Sequence, residues 1–327
     1  MTAQIIIKKL LKLLLGLCGN FICMRILVTG GAGFIGSHLT HRLITEGHQV
    51  MILDDFSAGS KDFVHHEARV EEVNILDWPK VESAFKSFAP EAVFHLAAQI
   101  EIRSDFSDSR RYATDAMNIL QWSKHCGVKR FIFSSTAAVY GDSQHLPIKE
   151  SEFYAPTSVY GISKMNFEQH LLGEHRDASL QTVVLRYANV YGPRQGTVGE
   201  GGVVAIFCKK LLANEPLTIF GSGEQTRDFI FIDDVVESNL LALPANKGGL
   251  VYNVSTAQET SINELAQLLL QISGKNVEIK YTAPATGDVL RSALDNALIK
   301  QELGWEPKVN IDQGLKKTWQ WFKENYK

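Results

Sequence analysis

The 327-residue chain carries 33 Lys and Arg against 36 Asp and Glu, a formal net charge of −3, which gives no global electrostatic reason to expect a nucleic-acid partner. Its 45% of hydrophobic residues suffices for one large or two ordinary domains and excludes a disordered chain, while 25 Gly and 9 Pro exclude a collagen-like one. Four cysteines (Cys18, Cys23, Cys126 and Cys208) form no C-x-x-C pair and have no neighbouring His at metal-ligand spacing, so a reduced protein with no metal site is expected.

Residues 1–23, MTAQIIIKKLLKLLLGLCGNFIC, form a leader unlike the rest. The segment is too short and too lysine-studded for a transmembrane span. On a helix Lys8, Lys9 and Lys12 share one arc and Ile and Leu fill the remainder, which suits a helix lying in a membrane surface. A start codon placed too early, with Met24 opening the fold, and a disordered leader are the other readings.

From Met24 the apolar run at 25–28 predicts a buried strand ending in a glycine cluster. Helical spacing follows over 37–46, stopped by Gly47, and a second strand at 50–53 ends on Asp54. Further strands are predicted at 92–96, 131–134 and 182–185, with a helix from about Ser158 preceding the last. His95 lies inside the fourth of these elements, an apolar strand, and is expected to be a packed, hydrogen-bonded histidine. Strands alternating with helices imply an α/β chain, a Rossmann-type doubly wound parallel sheet with a smaller C-terminal substrate-binding region. After Arg186 the texture changes to long loops and glycine-rich corners, so the boundary is placed at 186/187, with strands at 229–232 and 251–254 expected to return to the main sheet. The C-terminal run 316–327, with Trp319, Trp321 and Phe322 at near-helical spacing, predicts a docking helix.

Gly30, Gly33 and Gly36 in TGGAGFIG fall between the first strand and the first helix. There the first permits a tight turn, the second a close approach of backbone to a pyrophosphate, and the third close helix–strand packing. Free N–H groups at the helix N-terminus meet the phosphate charge. Asp54 lies 18 residues past Gly36, where a carboxylate accepts hydrogen bonds from an adenosine ribose and repels a 2′-phosphate. NAD is therefore the expected cofactor.

Tyr160 and Lys164, four apart in YGISK, share one face of the helix that follows FIFSSTAAVYG. The pairing alone is uninformative; its place beyond the carboxyl end of a strand, where open α/β sheets bind ligands, makes it a site. A nearby cation favours phenolate and lowers a tyrosine pKa from near 10, making Tyr160 a usable base. Thr136, at the end of the preceding strand, offers a hydroxyl to share the proton.

These motifs, with LDDFS, VFHLAAQ, LRYANVYGPRQ, FGSGEQTRDFIFIDDV and the late TGDV, resemble those of the extended short-chain dehydrogenases of the NAD-dependent epimerase/dehydratase family, over residues 24 to about 322. The resemblance implies an NAD-binding domain at 24–186 and a nucleotide-sugar-binding region at 187–327. It implies that Phe34, Ile35, Asn74, Ile75, Leu96, Ala97 and Ala98 line the cofactor beside the glycines, Asp54, Tyr160 and Lys164. Dehydratases and decarboxylases of this kind carry acids just after the threonine, whereas Ala137 and Ala138 stand here. Neither alanine protonates a leaving oxygen, which favours epimerisation, as in the UDP-hexose 4-epimerases of the family. By the same resemblance Asn189 and Arg227 hold the nucleotide diphosphate and residues 216–220 lie along the uracil. Asp288 and Ser292 line the substrate, a serine at the latter position leaving room for N-acetylated sugars.

Three departures from the family pattern stand out. Ala285 replaces a second phosphate arginine, with Arg291 its candidate substitute; the stretch 103–118 is a few residues shorter; and within it Tyr112-Ala-Thr-Asp-Ala116 stands for Asn-Val-x-Gly-Thr. The same site residues would serve an epimerase of a UDP-uronate or of a dTDP- or CDP-sugar, and an inactive NAD-binding sensor or scaffold is the alternative of another class. The expected partners are a UDP-sugar and a second copy of the chain. The expected location is the cytoplasm, with membrane contact only through the leader.

Overall fold

The computed structural model describes residues 23–98, 109–174, 180–196, 202–245, 248–284 and 289–326. The leader up to residue 22, residues 103–108 of the altered 103–118 stretch, Ala285 and Asp288 lie outside the described residues. From the N-terminus the chain runs β1 (Arg25–Thr29), α1 (Phe34–Thr45), β2 (Gln49–Asp54), β3 (Arg69–Glu72), α2 (Trp78–Phe88), β4 (Ala92–His95), α3 (Ser109–His125), β5 (Arg130–Thr136), α4 (Val159–Glu174) and β6 (Gln181–Tyr187). It continues through β7 (Asn189–Tyr191), α5 (Val203–Leu212), β8 (Leu217–Phe220), β9 (Thr226–Arg227), β10 (Phe229–Phe231), α6 (Ile232–Ala242), β11 (Leu250–Val254), β12 (Thr260–Ser261), α7 (Ile262–Ser273), β13 (Ile279–Thr282), α8 (Ala297–Leu303) and α9 (Ile311–Asn325).

A seven-stranded sheet in the order β11-β6-β5-β4-β1-β2-β3, with every pairing parallel, forms the frame. Strand side chains alternate between faces, and the core divides accordingly. Ile26 and Val28 of β1 and Val183 and Leu185 of β6 enter one cluster with Leu39 and Leu43 of α1. Leu27 and Val184 enter the other with Phe85 of α2, Ile119 of α3 and Phe167 of α4. Helices therefore cover both faces, and this burial explains why the predicted strands read as nearly continuous apolar runs.

The strand order reverses between β1 and β4, which opens the crevice that such sheets use for ligands at their carboxyl ends. The expectation that 229–232 returns to the main sheet does not hold: β10 pairs with β7 in a two-stranded parallel ladder, while Leu250–Val254 does return, beside β6. Asp228 and Asn189 seed that separate ladder, because the Asn189 N–H donates to the Asp228 carbonyl at 2.8 Å. Two departures are local. Helix α1 begins at Phe34, three residues before the expected start, because Gly33 is its extended N-cap residue. β3 was not anticipated, since RVEE is a charged edge strand with only Val70 apolar.

Helix α9 begins at Ile311, ahead of the expected 316, capped by the Asn310 side chain, which accepts from the Gln313 N–H. It buries Leu315, Thr318, Trp319 and Phe322 and packs on α5 and α7. Among the described residues no helix is long and apolar enough to cross a membrane.

Candidate active site

The glycine cradle is sterically explicit. A Cβ built on Gly36 would lie 2.1 Å from the Gly30 carbonyl oxygen, and one on Gly30, at φ +69°, would lie 2.8 Å from the Ala97 nitrogen. Only hydrogen at these positions lets α1 close on β1 and lets the β1 and β4 ends touch. No side chain caps α1 at Gly33, so the N–H groups of its first turn, from Phe34, Ile35 and Gly36, point at the crevice. Asp54 closes the other side from the end of β2. Its Oδ2 accepts from the Ala32 N–H and its Oδ1 from the Phe56 N–H, both at 2.9 Å. Burial pushes this carboxyl up, opposed by those two N–H groups. Two of about four lone-pair positions are thereby used, and the rest suit ribose hydroxyls. An anion cradle beside a ribose acceptor fits a dinucleotide, and NAD specifically, since the Asp54 carboxylate would repel a 2′-phosphate.

Deeper in the same crevice, Ile75, Ala97, Ala98, Tyr160 and Lys164 line one pocket, with His95, Phe133 and Ser163 among the other walls. Leu96 is fixed by its N–H to the Thr29 carbonyl, and Asn74, exposed, donates to Asp55 at 2.9 Å. His95 is 2% exposed and lies 2.8 Å from the Thr29 hydroxyl through Nδ1. Burial drops its pKa to about 3, with the Lys164 charge in support. It is the packed histidine expected, and a neutral one.

Helix α4 starts where Ser158 accepts from the Gly161 N–H at 3.0 Å. A Cβ on Gly161 would meet the Ala138 carbonyl at 2.7 Å, so this glycine lets α4 press on the turn after β5 and carries Tyr160 to the end of that strand. Lys164 is buried; its Nζ donates to the Ser134 carbonyl at 2.7 Å and stands 5.7 Å from the Tyr160 ring centre. Thr136 ends β5, and its Oγ1 accepts from the Ala138 N–H at 3.2 Å. Ala137 and Ala138 follow, with no ionisable group on either.

The remaining expected residues gather on the adjoining segments. Asn189 opens β7, two residues past Tyr187, the cross-strand partner of Thr136. Arg227 ends β9, and the Thr226 N–H donates to the Leu290 carbonyl, which ties β9 to the segment that carries Ser292. Arg291 is engaged by Glu259, at 2.5 and 2.9 Å, and the same carboxylate accepts from the Thr226 hydroxyl.

Sequence reasoning missed a buried ion pair one helical turn beyond Lys164. Glu168 is 0% and Arg186 2% exposed, with 2.7 Å between Oε2 and Nη2. Arg186 also donates to the Tyr140 and Tyr154 hydroxyls, and Ser135 donates to Glu168. Ser135 and Asn253 are the cross-strand neighbours of Arg186, so the network pins α4 to β5, β6 and β11. The available signal was an arginine at the end of the apolar run TVVL.

Residues 26–255 match the model of the NAD dependent epimerase/dehydratase family. The chain belongs to this family. The chain is 37% identical over 309 residues to the UDP-glucose 4-epimerase of Mycolicibacterium smegmatis, covering 92% of this chain and 99% of that protein. The crystal structure of a UDP-glucose 4-epimerase with UDP-glucose from Thermotoga maritima superposes with a TM-score of 0.89 at 43% identity, covering 93% of this chain and 100% of that one. The UDP-glucose 4-epimerase of Thermus thermophilus, in complex with NAD, gives 0.87 at 35% identity over 92% of this chain and 100% of its own.

Proposed function

We propose that the chain is an NAD-dependent nucleotide-sugar 4-epimerase that inverts C4 of a UDP-hexose, UDP-glucose and UDP-galactose first, with the serine at 292 admitting N-acetylated forms. The observation that carries this reading is the meeting of Tyr160 and Lys164 in one pocket with Ala97 and Ala98, next to a strand end that offers Thr136 and no acid. Among the described residues, a base and a hydroxyl followed by two alanines, with no acid there for a leaving group, suit reversible oxidation rather than elimination.

Tyr160, as phenolate, takes the proton of the 4-hydroxyl, with the Thr136 Oγ1 bridging the two oxygens. Lys164 favours the phenolate by its charge and binds the nicotinamide ribose; the Ser134 carbonyl keeps its ammonium in place. When bound, NAD supplies the redox chemistry at C4, and since it is regenerated within each turnover it is retained. Asn189 and Arg227 hold the diphosphate while the 4-keto sugar turns its other face to the pocket; guanidinium suits this by bidentate contact. Tyr160 then returns its proton to the new 4-hydroxyl.

The proposed location is the cytoplasm, for its supply of the dinucleotide, and the proposed protein partner is a second copy of the chain. The test is Tyr160→Phe. Turnover of UDP-glucose should fall at least about a hundredfold while bound NAD per protomer is unchanged. Undiminished turnover would remove Tyr160 from the chemistry.

A further inference from the structure

Asp228 sits between β9 and β10 and is 1% exposed. Its carboxylate accepts four hydrogen bonds: Oδ1 from the Thr256 N–H at 2.9 Å and the Thr256 hydroxyl at 2.6 Å, Oδ2 from the Ala257 N–H at 3.0 Å and the Leu294 N–H at 3.3 Å. Its backbone carbonyl accepts the Asn189 N–H at 2.8 Å. One residue thus joins three segments. It follows Arg227 directly, its carbonyl holds the backbone of Asn189, and through Leu294 its carboxylate holds the segment that carries Ser292 two residues earlier.

We propose that Asp228 is a positioning residue for substrate binding, registering Asn189 and Arg227 against the segment that carries Ser292, so that diphosphate and hexose are met by one rigid frame. This rests on the substrate reading above. The frame is costly to build, which argues for a use. A buried carboxylate held by four neutral donors is expensive to keep. Burial raises its pKa to about 6 in spite of all four bonds. Ala257, one of the donors, adopts φ +58°, a left-handed conformation that a non-glycine residue takes only when its surroundings compel it. A stability role alone would be met as well by apolar packing between the same segments. Positioning explains why the carboxylate ties the turn at 256 and 257 to the segment of Ser292 while the same residue follows Arg227 and holds Asn189 through its carbonyl.

The test compares wild type, Asp228→Asn, Thr256→Val and Arg227→Ala as NAD-loaded enzyme. UDP affinity is measured by calorimetry, and kcat and KM are measured for UDP-glucose. In Asp228→Asn the carboxamide keeps the Thr256 bonds but sets an N–H against the Ala257 and Leu294 donors. UDP affinity should weaken and KM should rise by about tenfold, with kcat within about threefold and bound NAD unchanged. Thr256→Val should move the same quantities in the same direction by less, and it decides the matter if Asp228→Asn does not fold. Unchanged UDP affinity and KM in both variants, with Arg227→Ala weakened, would overturn the proposal, as would a lowered Tm accompanied by unchanged KM. If Arg227→Ala itself binds UDP normally, the substrate reading of Arg227 fails and the proposal falls with it.

Discussion

His95 illustrates what one residue can and cannot disclose in a sequence. An imidazole inside the run AVFHL reads as packed, and the Thr29 hydroxyl at 2.8 Å is its partner. Its depressed pKa has a consequence for stability. The unfolded imidazole takes a proton near pH 6.5, the folded one only near 3, so within that window the unfolded chain binds more protons. The stabilisation is complete above 6.5 and is lost as pH falls, by roughly 2 kcal/mol at pH 5. Urea midpoints at pH 7.5 and 5 should therefore diverge in the wild type and diverge less in His95→Gln; equal pH slopes in the two would refute this origin. Gly36 was legible for the opposite reason, because its role is steric. In Gly36→Ala the new Cβ would meet the Gly30 carbonyl oxygen at 2.1 Å, and bound NAD per protomer should fall at least about tenfold. Asp228 was not legible at all: its donors come from residues 256, 257 and 294, which no local pattern connects.

Between elements, the Glu168–Arg186 pair fixes how α4 lies on the sheet. In sequence, Lys164 and Glu168 are simply one turn apart on a helix of mixed character, and β6 was expected to end at 185, one residue short of Arg186. Only the fold converts these into a buried pair with Tyr140, Tyr154 and Ser135 around it. A buried ion pair is weak evidence for net stability, but removing one partner leaves the other charged and uncompensated. Glu168→Ala should cost about 3–5 kcal/mol in denaturant unfolding. Glu168→Gln, which keeps the shape and accepts one bond, should cost less. Because Lys164 lies on the preceding turn, kcat should fall in both variants even where folding is complete. Full activity with full stability in Glu168→Ala would show that α4 needs no such anchor.

At the scale of the whole molecule, the seven-stranded sheet was far more legible than the C-terminal part beyond it. Parallel strands buried on both faces announce themselves as short apolar runs, and glycine spacing marks the crevice between β1 and β4. The C-terminal part is made from two-stranded ladders, β7 with β10, β9 with β12 and β8 with β13, whose partners lie 30 or more residues apart in the chain. Strands of two to four residues carry almost no periodicity, so the pairing of β10 with β7 rather than with the main sheet had no signal to find. What the sequence did supply for that part came from motif resemblance to the family, residue by residue. The most direct measurement is to incubate the purified protein with UDP-glucose and no added NAD, and to resolve the sugar nucleotides. Epimerisation at C4 with a retained cofactor predicts UDP-galactose accumulating to a stable ratio with UDP-glucose, approached equally from either side. No conversion in either direction, even with NAD supplied, would contradict it.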